Sequence, residues 1–157
     1  MLPPPEDAAP AFGQDVLAAR GQGKNVAVIG HFPFVEAARS AYANYWVLEK
    51  RPQPGDCDAA QAATLLPRAD LVAITATTLL NGTLAEILNA CRPDALVILL
   101  GPSTPFAPSL FACGIDVLAG CHCHNAAAAL DGVRRHCFFR HLDGAGQRTW
   151  IRPGAPI

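Results

Sequence analysis

The chain has 157 residues, 51% of them hydrophobic and 16% charged, which is apolar material enough for the core of one domain of ordinary size. A formal charge of −1 gives no electrostatic reason to expect nucleic acid or an anionic membrane as a partner. No apolar run approaches the ~18 residues that span a bilayer, and the opening MLPPPEDAAPAFGQD lacks the basic start and apolar stretch of a secretory signal, so the chain reads as soluble and cytoplasmic.

Residues 1–24, rich in Pro, Ala and Gly, read as an N-terminal arm or linker with a short helix near Val16–Arg20, and residues 25–157 as the domain. NVAVIG (25–30) is an apolar, β-branched run ending in Gly, the pattern of a strand buried on both faces. YWVLEK (45–50), ADLVAIT (69–75), ALVILLG (95–101) and IDVLAGCHC (115–123) read as four further strands. Between them, 34–44 and 58–66 suit helices, the second stopped by Pro67. In 82–91, Thr83 and Glu86 have capping-box spacing and Pro93 follows the end. PFAPSLFAC (105–113) opens with Pro and stops before Gly114, and Asn125 is a good N-cap for 125–137. Strands alternating with helices predict an α/β domain: Rossmann-like, three-layered, with a mostly parallel five-stranded sheet. The tail, HLDGAGQRTWIRPGAPI, suits a hairpin or edge strand around Gly144–Gly146.

Ligands of open parallel sheets bind beyond the carboxyl ends of the strands. The residues there are Gly30 and His31 after the first strand, and Glu49 at the end of the second. Thr75, Thr77, Thr78 and Thr83, with the Asn81–Gly82 turn, follow the third, and Gly101–Pro102–Ser103–Thr104 follow the fourth. Small, hydroxylic and turn-forming residues beside helix starts suit a phosphate or carboxylate, and they equally suit plain helix capping. Glu49 lies 19 residues after Gly30, near the ~20-residue offset of an acidic residue that holds a ribose. Yet GHFPFV is not GxGxxG, and bulky His31, Phe32 and Phe34 occupy the approach of a pyrophosphate, which argues against an ordinary NAD site. His31 itself suits a satisfied polar residue, a general acid–base or a metal ligand.

VAVIGHFPFV, WVLEKRPQPGD, LLPRADLVAITATTLLNGTL and VILLGPSTPFAPSLFACGIDVLAG together resemble, in order, the C-terminal portion of the putative heavy-metal-chelation family, over about residues 25–135. That resemblance implies a Rossmann-like domain which in typical members follows a small enolase-N-terminal-like domain, with a small-molecule or metal site in the cleft between the two. It points to Gly30, His31, Glu49, Thr77, Thr78, Asn81, Gly82, Gly101, Pro102, Ser103 and Thr104. Only about 24 residues precede the first strand here, so a partner chain or self-association is expected to supply the second wall, if anything does. Leu79, Leu80, Phe106 and the Phe32–Phe34 pair are then candidates for apolar surface left open for a homodimer or partner. Ala76 stands where the family usually has glycine, and Cys121 and Cys123 where it tends to be apolar.

The stretch AGCHCHN (119–125) sets Cys121, His122, Cys123 and His124 side by side. In a regular strand the two cysteines share one face and His122 and His124 lie on the other, so the four cannot bind one metal, which predicts two buried, inert thiols. If instead the strand ends at Gly120, Cys121, Cys123 and His124 sit in a loop and offer ligands to a soft metal. The remaining cysteines, Cys57, Cys91, Cys113 and Cys137, read as buried or half-buried hydrophobes.

The main functional expectation is a protein that binds a small ligand, anionic or a metal chelate, at the carboxyl edge of the sheet. A transition metal or its chelate is the cofactor-like ligand this admits. The second is an enzyme acting on a nucleotide- or pterin-like molecule there, with His31 or Glu49 as acid–base. The third is a non-catalytic module that pairs with an enolase-N-like domain. No nucleophile–base pair is recognisable in the sequence.

Overall fold

The protein is described by a computed structural model over residues 3–155, apart from the side chain of Arg140. The first two and last two residues of the expected arm and domain lie outside these described residues. Within them, the apolar runs form one seven-stranded sheet. Its strands are β1 Asn25–Ile29, β2 Asn44–Glu49, β3 Cys57–Asp58, β4 Leu71–Thr75, β5 Leu96–Leu100, β6 Val117–Cys123 and β7 Ala145–Ile151. The spatial order is β3-β2-β1-β4-β5-β6-β7, and every neighbouring pair is parallel except β6 with β7. The five expected strands are present, and the sheet is α/β and Rossmann-like. The chain lays strands outward in one direction up to β3, then restarts on the other side of β1 with β4. That reversal leaves a crevice at the carboxyl ends of β1 and β4.

Alternation along each strand decides the layers. Val26, Val28, Leu71, Ala73, Leu96, Ile98 and Val117 point to one face, where they pack with Leu17 and Val35. Leu17 belongs to α1 (Gly13–Gly21), and Val35 opens α2 (Val35–Ala38). Ala27, Val72, Ile74, Val97, Leu99 and Leu118 point to the other face and pack with Leu66, Leu84, Ile87 and Phe106. This second layer is built from α3 (Ala62–Leu65), α4 (Thr77–Leu80), α5 (Leu84–Ala90) and α6 (Ser109–Ala112) with their flanking turns. Both faces being covered is why the strands read as continuous apolar runs, each fully buried Leu or Ile contributing about 2 kcal/mol.

Several local expectations are corrected. The expected helix 34–44 is only α2 plus a 3-10 turn at Arg39–Ala41, and 105–113 is reduced to α6. The expected helix 58–66 is shortened to α3, which ends before Pro67 as expected; a 3-10 turn, Leu66–Arg68, then takes the proline in its first positions, where its missing N–H is not needed. No capping box forms on α5: the Thr83 hydroxyl donates to Asn81 Oδ1 at 2.7 Å instead. Asn125 does cap α7 (Ala126–Arg134), accepting the Ala128 N–H at 3.2 Å. Phe106, expected on open surface, is 3% exposed and belongs to the core, whereas Leu80 is 82% exposed.

β7 was expected only as a hairpin or edge strand near Gly144–Gly146. It runs antiparallel along all of β6, from Val117↔Ile151 to Cys123↔Ala145. Its outer edge is partly covered by Ala9, which exchanges two backbone hydrogen bonds of 2.9 Å with Thr149 just before α1 begins.

Candidate functional site

At the carboxyl ends of β1, β2 and β4 a cavity of about 340 Å³ opens between α3 and α5. Of the residues singled out in the sequence it is lined by Gly30, Glu49, Thr77, Thr78, Asn81 and Thr83. Thr75, singled out with them, and Ile29, Leu48, Lys50, Glu86, Ile87 and four alanines complete the wall. Gly30 makes the sharp turn out of β1 with φ +102°, and an added Cβ would stand 3.2 Å from Thr75 Cγ2. That turn aims the next N–H at Glu49. Glu49 Oε2 accepts from the His31 backbone N–H at 3.1 Å, and Oε1 accepts from the Lys50 N–H at 2.7 Å. The carboxylate at the end of β2 is thus held in one orientation while lining the cavity.

The hydroxyls divide into two roles. Thr78 is buried and donates to the Thr75 carbonyl at 2.7 Å, so it closes a turn. Asn81 Oδ1 accepts from both the N–H and the hydroxyl of Thr83, again a local turn. Thr75 and Thr77 hydroxyls lie 3.0 Å apart on the cavity wall, each with further hydrogen-bonding capacity. Gly82, at φ +74° with open space around it, serves the turn and does not line the cavity.

His31, expected in the site, lines neither this cavity nor the hollow beside Gly101; its backbone N–H reaches Glu49 while its ring turns to a group that sequence reasoning missed. Its Nδ1 lies 2.8 Å from Asp56 Oδ2, and the Asp56 side chain is 0% exposed. Asp56 also accepts the Gln53 N–H at 3.0 Å and approaches Arg39 Nη2 at 3.4 Å. Arg39 in turn is clamped by Glu36 and by the Gly55 carbonyl. Burial alone pushes the Asp56 carboxyl up. The Gln53 N–H, the His31 ring and the Arg39 charge together outweigh it and hold the group below the ordinary carboxylate value. The signal for Asp56 is the PGD turn at the end of RPQPGD (51–56), but nothing local ties it to a histidine 25 residues away.

The expected single cleft is two hollows. Gly101 and Pro102 line a separate space of about 70 Å³ with Phe12, Phe32, Phe34 and Ala119. The reason is the layering. Ile29, Leu48 and Ile87 belong to one face of the sheet, Leu100 and Ala119 to the other, so loops at one edge open onto opposite layers. Ser103 is exposed and lines neither hollow, and Thr104 is wholly buried against Gly120, its hydroxyl without a hydrogen-bond partner.

β6 does not end at Gly120 but continues through Cys123, so the loop arrangement of Cys121, Cys123 and His124 is not the one formed. The cysteines share one face, and the His122 ring, on the other, lies 6.4 Å from that of His124. The expectation of two buried thiols is also corrected: Cys121 is half-buried and Cys123 exposed, as is Cys113. β5 pairs with β6 only as far as Ala119, which leaves the last turn of β6 with β7 as its only strand neighbour and little cover. Burial, with Cys123 nearby, pushes the Cys121 thiol up, which disfavours the thiolate. Replacing Cys121 and Cys123 together by Val is expected to change unfolding free energy by less than about 1 kcal/mol, measured in urea. A larger loss would show that the thiols make contacts a hydrocarbon cannot replace.

A Rossmann-like sheet defines the class: an α/β protein with a cavity at the carboxyl edge of its strands. The particular family follows from comparison. The chain belongs to the DUF364 family, described as putative heavy-metal chelation, whose model matches residues 14–152. It is similar to an uncharacterized protein of Methanocaldococcus jannaschii, with 33% identity over 102 residues, 62% of this chain and 39% of that one. It also resembles the crystal structure of a DUF364 protein of unknown function from Desulfitobacterium hafniense, at 26% identity and a TM-score of 0.77, covering 93% of this chain and 60% of that one. A second DUF364 structure, from Pyrococcus horikoshii, shares the fold with a TM-score of 0.80 at 20% identity, over 94% of this chain and 61% of that one. The chain therefore spans less than two thirds of the length of these relatives.

The family's description names a metal, and the fit can be tested on the donors present. Among the described residues no three His, Cys, Asp or Glu side chains converge in a way that would hold an ion. Two thiols on one strand face and a carboxylate already bonded to two backbone N–H groups do not make a complete coordination shell. No helix among the described residues is long and apolar enough to cross a membrane.

Proposed function

We propose that this protein binds a small ligand in the cleft at the carboxyl ends of β1, β2 and β4. The observation that carries the reading is the cavity of about 340 Å³ walled by Ile29, Leu48 and Ile87 with Glu49 held rigidly at its edge. Small-molecule sites are of this kind: roughly 300–1,000 Å³, mostly apolar, with a few fixed polar groups. Two carboxylates, Glu49 and Glu86, face one ammonium, Lys50, so the cleft favours a ligand that presents hydroxyls or amines over the anion expected from the loop composition. A metal chelate with donor groups on its outer surface is compatible with that charge, and the metal then arrives with the ligand.

Native mass spectrometry of freshly purified protein, with elemental analysis of what it carries, is the direct test. Ala63→Trp places an indole from the exposed side of α3 across the cavity at small folding cost. It is expected to remove the bound species or weaken it at least tenfold. A stoichiometric ligand that survives this substitution would place the site elsewhere. We also propose that a partner chain or a second copy supplies the cleft's other wall; light scattering at micromolar concentration is expected to read more than a monomer, and a clean monomer would overturn self-association.

One observation favours a second reading, catalysis on a nucleotide- or pterin-like molecule in the same cleft. With Asp56 ionised, His31 Nδ1 is the donor of their 2.8 Å bond, so the neutral ring leaves Nε2 as an acceptor. This orients an imidazole for proton transfer. Turnover that disappears in His31→Asn while binding persists is the outcome that would support it.

A further inference from the structure

We infer that the ligand of this cleft is a nucleoside, its ribose diol bound by Glu49 and its base inserted between α3 and α5. The inference rests on the small-ligand reading above and deepens it by naming the ligand class.

Glu49 supplies the first reason. Each of its oxygens accepts one backbone N–H, from His31 and from Lys50. Each oxygen has a second acceptor site. A carboxylate locked in this way presents two fixed acceptors about 2.2 Å apart, the spacing of a carboxylate's own geometry. Two adjacent hydroxyls on one ring match such a pair, whereas a lone hydroxyl uses half of it. The position agrees, since Glu49 ends the strand next to β1, 19 residues after the Gly30 turn, where a ribose-binding acid stands in sheets of this topology.

The second reason is the slot beside it. Ala59, Ala62 and Ala63 on one side face Ile87 and Ala90 of α5 on the other. Alanines on facing helical segments leave a narrow gap with apolar walls, which suits a flat heterocycle, and Thr75 and Thr77 offer hydroxyls to its ring edge. The third reason is what the site refuses. A dinucleotide would set its pyrophosphate on the turn after β1, where Phe32 and Phe34 stack with centroids 5.2 Å apart and α2 has only four residues. Glu86 adds a like charge against a phosphate. The surroundings of the proposed sugar and base positions thus disfavour the phosphates of a nucleotide.

The test is titration of the full chain with adenosine and with 2′,3′-dideoxyadenosine, followed by amide shifts in ¹H–¹⁵N spectra. Adenosine is expected to shift Gly30, Lys50, Thr75 and Thr77, and the dideoxy compound to bind at least tenfold more weakly. This comparison uses the unmodified protein, so it does not depend on a variant folding. Glu49→Gln should then bring adenosine down to the dideoxy level without moving the dideoxy affinity. Equal affinity for the two compounds, or no shift at these amides with millimolar adenosine, overturns the inference. If a diol-free heteroaromatic such as pterin shifts those amides and Ala63→Trp abolishes it, the nucleoside class falls and the cleft stands. If neither compound shifts them and the purified protein carries nothing, both readings fall.

Discussion

Asp56→Ala is expected to lower the unfolding free energy by about 3 kcal/mol, the cost of removing a buried charged acceptor from donors that stay behind. The side chain has no exposed surface, and its loss strands the Gln53 N–H, His31 Nδ1 and one arm of Arg39. Asp56→Asn keeps the size and one acceptor oxygen, so it should cost about half as much. The pH dependence identifies the mechanism. The folded carboxyl titrates below its unfolded value, so its contribution is complete above the unfolded pKa of about 3.9 and is lost as the pH falls through the lower folded value. Urea titrations from pH 7 downward should therefore show the gap between wild type and Asp56→Ala narrowing only in that acidic window. A gap that is constant down to pH 3 would mean the loss is packing and not charge.

Gly120→Ala is expected to cost about 2–3 kcal/mol although its backbone would accept any residue. The added methyl would stand 2.6 Å from the Thr104 carbonyl oxygen and 3.3 Å from Phe106 Cζ. Both neighbours are buried, and the Thr104 N–H is tied to the Gly101 carbonyl at 3.0 Å, so the turn after β5 must shift as a unit. Gly82→Ala is the control. It meets nothing within 4 Å and bears only the cost of a side chain at φ +74°, about 1 kcal/mol. Thermal or urea unfolding of the two variants separates crowding from backbone strain. Equal losses would show that Gly120 is not required by its neighbours.

What could be read from the residues follows from how local each cause is. Val26, Val72, Val97 and their neighbours announce buried strands because a chain covered on both faces must be apolar at every position. From the strands, the placing of Gly30, Glu49 and Thr77 at one edge follows by topology alone. β3 has two residues and β7 carries Gly, Gln and Arg, so neither has a period to detect. The extent of β6 was open in the sequence because Cys121 to Cys123 suit a strand or a loop equally, and β7 alone pairs them into the sheet.

The sequence by itself thus determined the Rossmann-like sheet, its carboxyl edge and the acid at the end of β2. Only the tertiary structure decided how that edge is divided. Glu49 and Thr77 line one cavity with Leu48 and Ile87 of one layer, and Gly101 and Pro102 line another with Leu100 and Ala119 of the opposite layer, because the loops that carry them leave the sheet toward different faces. It also decided that His31 meets Asp56, since a bond of 2.8 Å between residues 25 apart depends on how the β2–β3 loop folds back over the β1 turn. Hydrophobic patterning acts through each strand's immediate neighbours, whereas a polar pair across two loops exists only once the layers that carry them have packed.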